Sequence, residues 1–348
     1  MKKLYTLLLF VALLSGCSSD YQILDSITPP ILTADSSTAT IGETITFTAK
    51  NVDGEDITAS TEFTVNGSAI TGNTFTSQEE GSFEVLASFQ TVKSNPLVVT
   101  FDDGSQINFK KRVLIEDYTG TWCGFCPRVA HAIELTVAQT DAAVPVAIHR
   151  PSSNPSDGNY DPYNYDTSEL EATLAAAGYP KGYLNRTLRW TFPEPNNIAQ
   201  AIALTQGENP KLGLALTPIV SGNNINLNVN VKFSKDFTGV KLVVYVLENG
   251  LLYEQHNYTD YYGGVDVIEE YHHNHVLRSI LTPQLGEAIS ATETTSGHTF
   301  TKSFNVYVPS NVANMANLEF VAFVLDASGK VINVRKAASG DTQDFEEL

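Results

Sequence analysis

The sequence predicts a chain of several folded parts, in which an α/β unit lies between two β-domains. With 348 residues, 42% of them hydrophobic, the chain is long enough for two or three domains of about 100–150 residues each. Its periodicity changes from short alternating strands to strands that alternate with helices, and then back to strands. A pair of cysteines, Cys123 and Cys126, stands at a predicted strand-to-helix junction. The predicted domains are residues 31–101, 110–207 and 210–340.

The first thirty residues predict an exported, lipid-anchored protein. Residues 1–16 have a lysine-containing start, an apolar run and a small pair, which is the pattern of a secretory signal. Residues 14–17 (Leu-Ser-Gly-Cys) resemble the lipobox of bacterial lipoproteins, so Cys17 is expected to carry lipid and to begin a linker over residues 17–30. The alternative is a signal peptide cut elsewhere. The predicted location is the cell envelope, as an outer-membrane lipoprotein on either the periplasmic or the surface leaflet.

The charge of the chain excludes some partners. There are 21 basic and 39 acidic residues, and the formal net charge is −18. A chain this acidic is repelled by phosphate, so neither nucleic acid nor an anionic membrane surface is an expected partner. The expected contact with a membrane is the lipid anchor alone.

Residues 31–101 predict an antiparallel β-sandwich of immunoglobulin type. Short runs in which apolar and polar residues alternate are separated by turns that contain glycine. This region has no His and no Cys, so a spacer or an adhesive module is the expected role. The predicted strands are residues 44–49, 62–65, 82–87 and 97–100.

Residues 110–207 predict an α/β unit, because strands and helices alternate along them. The apolar strand 113–118 runs into the cysteine pair, and from Pro127 the apolar residues recur at helical spacing. Ser168 and Glu171 have the spacing of a capping box, at the start of a helix expected to end at Gly178. The other expected elements are strands at 144–148 and 183–188 and a helix at 196–205.

The cysteine motif and its surroundings resemble a known fold. The motif reads Trp122-Cys123-Gly124-Phe125-Cys126, Asp117 precedes it in the strand, and Tyr179-Pro180 opens a later strand. In these features residues 110–207 resemble a thioredoxin-fold domain. The resemblance implies a buried carboxylate at Asp117 beneath the cysteines and a cis Pro180 that faces them.

Placement at a helix N-terminus predicts a reactive first cysteine. Backbone N–H groups and the helix dipole would stabilise a Cys123 thiolate, which makes Cys123 the expected nucleophile and Cys126 the resolving thiol. A buried Asp117 would have a raised pKa and could accept the proton of Cys126. Glu116 would take that role if a bulge shifted the strand by one residue.

The same motif also permits a substrate groove and a non-catalytic alternative. Pro180 would present the backbone of Tyr179 for strand-like pairing with a peptide, with Trp122 beside this groove. The alternative is a static disulfide or a metal site, although zinc normally needs four ligands and no second cysteine pair exists. The Gly-Phe pair between the cysteines differs from the Gly-Pro of thioredoxins and the Gly-His of the isomerases, so the direction of electron flow stays open.

Residues 210–340 predict a second antiparallel β-domain with an inserted segment, 251–281. This segment is rich in tyrosine and contains the run Glu269–His275, in which His272, His273 and His275 are metal-ligand types at helix-like spacing. Three convergent ligands do not follow from the pattern, so no metal and no cofactor are expected. The aromatic side chains suggest a contact surface, either for the α/β unit or for a partner.

Taken as a whole, the chain resembles the outer-membrane-protein-28-related lipoproteins of Bacteroidetes. The resemblance rests on the lipobox, on the block from Glu116 to Pro127, and on the run from His273 to Arg278. It implies an outer-membrane lipoprotein with a thioredoxin-like core and leaves the substrate open. Two hypotheses follow: thiol–disulfide exchange with the thiols and disulfides of exported proteins, or a non-catalytic role in binding or adhesion to a surface partner.

Overall fold

The computed structural model describes residues 28–104 and 106–348, and most of its regular structure is β-strand. The predicted signal 1–16, the predicted lipid site Cys17 and most of the linker 17–30 lie outside these residues. In the described part of the chain, no helix is both long and apolar enough to cross a membrane.

The N-terminal region forms two sheets that share one hydrophobic core. Alternate residues point inward along each strand, as in Thr44–Lys50, so that Phe47 packs with Phe63, Val85 and Phe101 from the facing sheet. The predicted strands are confirmed, and the immunoglobulin type stays a prediction. The smaller sheet has the order β1-β3-β6, and the larger β2-β9-β7-β4-β5 with β8 beside β7. The bounds are β1 Ile31–Ala34, β2 Thr38–Thr40, β3 Thr44–Lys50, β4 Glu62–Val65, β5 Ser68–Ala69, β6 Thr74–Thr76, β7 Gly81–Phe89, β8 Val92–Lys93 and β9 Leu97–Asp102.

A nine-stranded sheet dominates the rest of the chain. Its central strand, β10, is buried over its whole length and pairs parallel with β11 and antiparallel with β12. The sheet order is β13-β12-β10-β11-β19-β16-β22-β23, with β20 beside β16. The bounds are β10 Val113–Thr119, β11 Ala143–His149, β12 Lys181–Leu184, β13 Leu188–Arg189, β16 Lys241–Glu248, β19 Val276–Ile280, β20 Glu287–Ala288, β22 Leu318–Leu325 and β23 Val331–Ala338.

A separate, helix-rich α/β domain at 110–207 is not found, which corrects that part of the predicted fold class. The strands of this region belong to the same sheet as strands from residues 241–338, so the sheet crosses the boundary predicted at 207–210. Of the three helices of this region, one has 13 residues and the others have four and six. They are α1 Pro127–Gln139, α2 Ser168–Glu171 and α3 Ile198–Ala203. The domain boundaries themselves stay predictions.

Two helices are shorter than the sequence suggests. The capping box at Ser168 does not form, and the Glu171 carboxylate accepts hydrogen bonds from Arg150 and Lys181. Before α3, the proline-containing segment Glu194–Asn197 adopts a 3-10 turn. The other 3-10 turns are Thr58–Ser60, Tyr262–Gly264, Ala291–Glu293 and Met315–Asn317.

The C-terminal strands add a second layer and a hairpin. The sheet β14-β15-β21 shares a core with the inward side chains of β16 and β22. The antiparallel pair β17-β18 forms a separate two-stranded sheet, so the tyrosine-rich insertion contains regular strands. The bounds are β14 Leu212–Ser221, β15 Asn224–Phe233, β17 Leu251–His256, β18 Val267–His273 and β21 Thr299–Tyr307.

Candidate functional site

The two cysteines lie where β10 passes into α1, and a disulfide joins them. Consecutive tight turns make this geometry: the Cys123 N–H donates to the Gly120 carbonyl at 3.0 Å, and the Cys126 N–H to the Cys123 carbonyl at 3.1 Å. Gly120 is required here, since a β-carbon at this position would lie 2.5 Å from Nε1 of Trp122. The strand, motif and helix therefore follow one another as the sequence predicts.

The disulfide is enclosed. Only 4% of Cys123 and 1% of Cys126 are exposed to solvent. The sequence predicts that Cys123 is a nucleophile, a role that needs an accessible sulfur. In this structure the two cysteines present little surface to an attacking group.

The cover over the disulfide is the β17-β18 hairpin and its connecting loop, residues 251–273, which we call the cap hairpin. Gln255 donates from Nε2 to the carbonyls of Gly120 at 3.2 Å and Cys123 at 3.1 Å. The backbone N–H of His256 donates to Thr121 at 2.9 Å, and that of Tyr258 to Gly124 at 2.6 Å. Carbonyls of the motif region that would otherwise face solvent are thus bound by the cap hairpin.

Aromatic contacts extend this cover along the surface. The ring of Tyr258 lies edge-on to Phe125 with centroids 5.7 Å apart, and these side chains are 60% and 55% exposed. Further along α1, His131 stacks on Tyr261 at 4.4 Å. The predicted contact surface of the tyrosine-rich insertion therefore includes the motif and the helix that follows it.

Asp117 lies beneath the motif, as predicted. It is 3% exposed, and its Oδ1 has no hydrogen-bond partner in the described part of the chain. Burial, together with the nearby Glu194 carboxylate, raises the pKa of Asp117 well above its usual range, against the opposing charges of Arg128 and Arg189. Asp117 is thus protonated over a wider pH range than a surface aspartate.

Glu116, the alternative proton acceptor, points to the opposite face of β10. Its Oε1 accepts hydrogen bonds from Nη2 of Arg186 and from the hydroxyl of Tyr245, both at 3.0 Å. Side chains alternate between the two faces of a strand, and no bulge interrupts the pairing of β10. The condition under which Glu116 would replace Asp117 is therefore not met.

The residues of the predicted substrate groove lie together beside the motif. The Nε1 of Trp122 donates to the Arg150 carbonyl at 2.8 Å, and its ring lies edge-on to Tyr179, with centroids 5.9 Å apart. The Tyr179–Pro180 peptide bond is cis, and it immediately precedes β12. The role of these residues in binding a peptide stays a prediction.

A cavity of about 250 Å³ lies beside the disulfide, between the cap hairpin and α1. Its walls include Cys126, Asp117, apolar residues of α1 and the strand segment from Tyr271 to His275. His273 is 4% exposed, and its Nε2 has no partner in the described residues. Burial, with His149 nearby, lowers the pKa of His273 to about 3, so this imidazole is neutral at physiological pH.

A buried pair, Asp161 and His149, links the motif to the cavity. Asp161 accepts from the Thr121 N–H at 2.8 Å and lies 2.8 Å from Nδ1 of His149. Burial opposes its ionisation, but His149 and the backbone donors of Thr121 and Tyr163 outweigh burial and lower the pKa of Asp161. The sequence places Asp161 in a polar loop and Gln255 in a tyrosine-rich segment, and neither pattern distinguishes these residues from their solvated neighbours.

The histidine run does not have the helical spacing that metal binding would use. Residues up to His273 belong to the strand β18, in which adjacent side chains point to opposite faces. His275 lies 2.7 Å from a Glu319 oxygen, while His272 is exposed. Within residues 28–104 and 106–348, no group of three or more His, Cys, Asp or Glu side chains is placed to hold a metal ion.

The fold and the site define a mostly β protein with a covered disulfide. The family described as Outer membrane protein Omp28 matches residues 167–343, about half of the sequence. The chain belongs to this family, and it is located at the outer membrane, in the cell envelope. This confirms the predicted location and, in part, the predicted resemblance.

Comparison with solved structures supports the fold. The structure of HBP35 of Porphyromonas gingivalis matches with a TM-score of 0.50 and 22% identity, over 68% of this chain and 77% of that one. Protein AGR_C_4864 of Agrobacterium tumefaciens matches with a TM-score of 0.42 and 16% identity, over 67% of this chain and 96% of that one, which is too weak to carry an argument. No curated protein matches this sequence.

Proposed function

We propose that this protein is a non-catalytic, lipid-anchored binding protein of the cell surface, in which the Cys123–Cys126 disulfide is structural. The observation that carries the proposal is the closure of the disulfide by the cap hairpin. Both sulfurs are nearly inaccessible, and Gln255 and the backbone of Tyr258 bind the motif from outside. A catalytic disulfide must instead meet the thiol of another protein directly.

The surface around the motif fits a role in binding. The exposed rings of Phe125 and Tyr258 are in contact, and the guanidinium of Arg128 lies 4.6 Å from the centre of the Phe192 ring, which is 68% exposed. Aromatic and arginine side chains are enriched at the cores of protein interfaces. The proposed partner is therefore a protein, bound at the aromatic surface that the cap hairpin and α1 form together.

The reduction potential of the disulfide tests this proposal. The full-length chain is equilibrated with glutathione and thioredoxin buffers, and the free thiols are trapped and counted by mass spectrometry. A structural disulfide is expected to have a potential below about −300 mV. A value between roughly −120 and −270 mV, the range of catalytic dithiols, would contradict the proposal.

The lipid anchor is a separate part of the proposal. Cys17 would carry the lipid at the mature N-terminus, with residues up to 30 as a spacer. A Cys17→Ala variant should move from the membrane fraction to the soluble fraction, whereas Ser18→Ala should stay in the membrane. Membrane retention of both variants would exclude this anchor.

Thiol–disulfide exchange is the second candidate, and the arrangement around Asp117 favours it. The order β11-β10-β12-β13, the disulfide at the first turn of α1, and cis Pro180 next to β12 are features that a thioredoxin-like site would have. Asp117 and Cys126 line the same cavity. In the reduced protein, Asp117 in its ionised form would take the proton of Cys126.

The exchange would proceed in two steps once the cap hairpin opened. A Cys123 thiolate would attack a disulfide of an exported protein, form a mixed disulfide and release one substrate thiolate. The Cys126 thiolate would then attack the Cys123 sulfur, release the second substrate thiolate and close the intramolecular disulfide. A Cys126→Ser variant should therefore accumulate mixed disulfides in the envelope, and a Cys123→Ser/Cys126→Ser variant should not. Equal crosslinking of both variants would exclude this candidate.

A further inference from the structure

A second cavity, of about 380 Å³, is distinct from the cavity beside the disulfide. It lies between the β12-β13 turn and the β22-β23 turn, and its walls contain the basic residues Arg186, Arg189 and Lys241. No aspartate or glutamate of the described residues lines it. In a chain with 39 acidic and 21 basic residues, a cavity with only basic charges in its wall needs an explanation.

Nearby carboxylates account for only one of the three positive charges. Arg186 pairs with Glu116 at 3.0 Å, whereas Arg189 and Lys241 have no carboxylate within 4.0 Å among the described residues. Asp117 influences Arg189 electrostatically, but no salt bridge joins them. Two positive charges therefore remain for a ligand to neutralise.

Asp326, in the β22-β23 turn, is not free to supply the missing charge. Its Oδ1 already accepts hydrogen bonds from the backbone N–H and the hydroxyl of Ser328, at 2.8 and 2.6 Å, and from the N–H of Lys330 at 3.1 Å. This carboxylate therefore fixes the turn that forms one wall of the cavity.

Two buried guanidinium nitrogens in this wall also lack partners. Arg186 is 4% exposed, and its Nε makes no hydrogen bond in the described part of the chain. The same holds for Nη1 of Arg189, whose Nη2 donates to the Pro180 carbonyl at 3.2 Å. Buried donors are almost always paired in native proteins, so this part of the wall is short of hydrogen-bond acceptors.

The rest of the wall is largely apolar. We propose that the cavity binds a small organic anion, a carboxylate with a short apolar chain, whose carboxylate lies between Arg189 and Lys241. Arginine binds planar carboxylates through two parallel hydrogen bonds. The volume is at the lower end of the range for small-molecule sites. The apolar chain would pack on Leu174, Leu285, Leu325 and Ala327.

Calorimetric titration of the full-length chain with pentanoate tests the proposal, at constant ionic strength adjusted with chloride. Saturable binding at one site is expected. Charge-assisted hydrogen bonds are strong, so Arg189→Gln and Lys241→Gln should each weaken binding by at least about tenfold. Lys235→Gln is the matched control, because Lys235 is exposed and does not line the cavity.

Two comparisons separate this site from less specific explanations. Pentanamide has nearly the shape of pentanoate without its charge, and equal affinity for the two would show that only the apolar wall binds. Inorganic phosphate that binds where pentanoate does not would overturn the assignment to organic carboxylates. Equal loss in Lys235→Gln would indicate a general charge effect and would also overturn it. Lys241→Gln replaces a half-buried side chain, and circular dichroism checks that this variant is folded.

Discussion

Tyr258 lies directly on Gly124. The Tyr258 N–H donates to the Gly124 carbonyl at 2.6 Å, and a β-carbon at Gly124 would come within 2.2 Å of the tyrosine ring. Position 124 must therefore be glycine for the cap hairpin to close as it does. This contact links the tyrosine-rich insertion to the chemistry of the disulfide.

A Gly124→Ala substitution should expose the disulfide. The added methyl group would push the Tyr258 ring away, and the loss of that aromatic contact would make opening of the cap hairpin easier by roughly 1.4 kcal/mol. Reduction by dithiothreitol, followed by thiol alkylation, should become about tenfold faster.

Two further variants control this experiment. Gly158→Ala places the same methyl group in an open loop, where no atom lies within 4 Å, and should leave the rate unchanged. In a Tyr258→Ala background, Gly124→Ala should add little further acceleration. An unchanged rate in Gly124→Ala would mean that the hairpin does not control access to the sulfurs.

Removal of the disulfide should destabilise the region around the motif. The Cys123→Ala/Cys126→Ala variant loses a cross-link that closes a very short loop, for which the chain-entropy relation gives about 2 kcal/mol. The only two tryptophans, Trp122 and Trp190, lie in this region, so urea unfolding followed by tryptophan fluorescence reports on it. The variant should unfold at lower urea concentration. A change below about 0.5 kcal/mol would argue against a structural role for the disulfide.

The surroundings of the motif show what the sequence could and could not predict. The spacing of apolar residues predicted β10, α1 and β11. The two strands are buried along nearly their whole length, and the helix buries one face. The single strand expected at 183–188 is instead two short strands around a turn in which Asn185 and Arg186 have positive φ. Neither residue type requires that conformation, so no residue of this segment signals the turn.

The cover over the disulfide was beyond prediction for a different reason. Gln255 and Tyr258 lie at least 129 residues along the chain from the cysteines that they enclose. A single sequence contains local periodicity but not contacts between distant segments. For the same reason the nine-stranded sheet could not be predicted. The sequence pattern of each strand indicates a strand, but it does not indicate which other strand it pairs with.

Asp117 gives the unfolding free energy a specific pH dependence. Because burial raises its pKa, the folded protein holds this proton at pH values where the unfolded chain, with an ordinary pKa near 3.8, has lost it. The stability contribution is therefore greatest below about pH 3.8 and is lost as pH rises toward the folded pKa. The slope from this group is about 1.4 kcal/mol per pH unit.

An Asp117→Asn variant should remove this slope. It should be more stable than the wild type at pH 8, and the difference should shrink as the pH falls toward 4. Urea unfolding at intervals between pH 4 and pH 8 measures it. Asp157→Asn, in an exposed loop, is the matched control. A constant difference between Asp117→Asn and the wild type at all pH values would mean that Asp117 does not titrate in this window.

His273 should act on stability in the opposite direction. Its pKa is lowered from 6.5 to about 3 by burial and by His149, so the unfolded chain binds a proton in this window that the folded protein does not. Stability from this group is complete above about pH 6.5 and is lost as the pH falls toward 3. In proton NMR, the imidazole resonances of His273 should stay constant from pH 8 to pH 5. A His273→Phe variant should lose less stability on acidification than the wild type, while His272→Phe should behave like the wild type. A titration of His273 near pH 6 would show that water reaches the cavity beside Cys126 and that its walls open in solution.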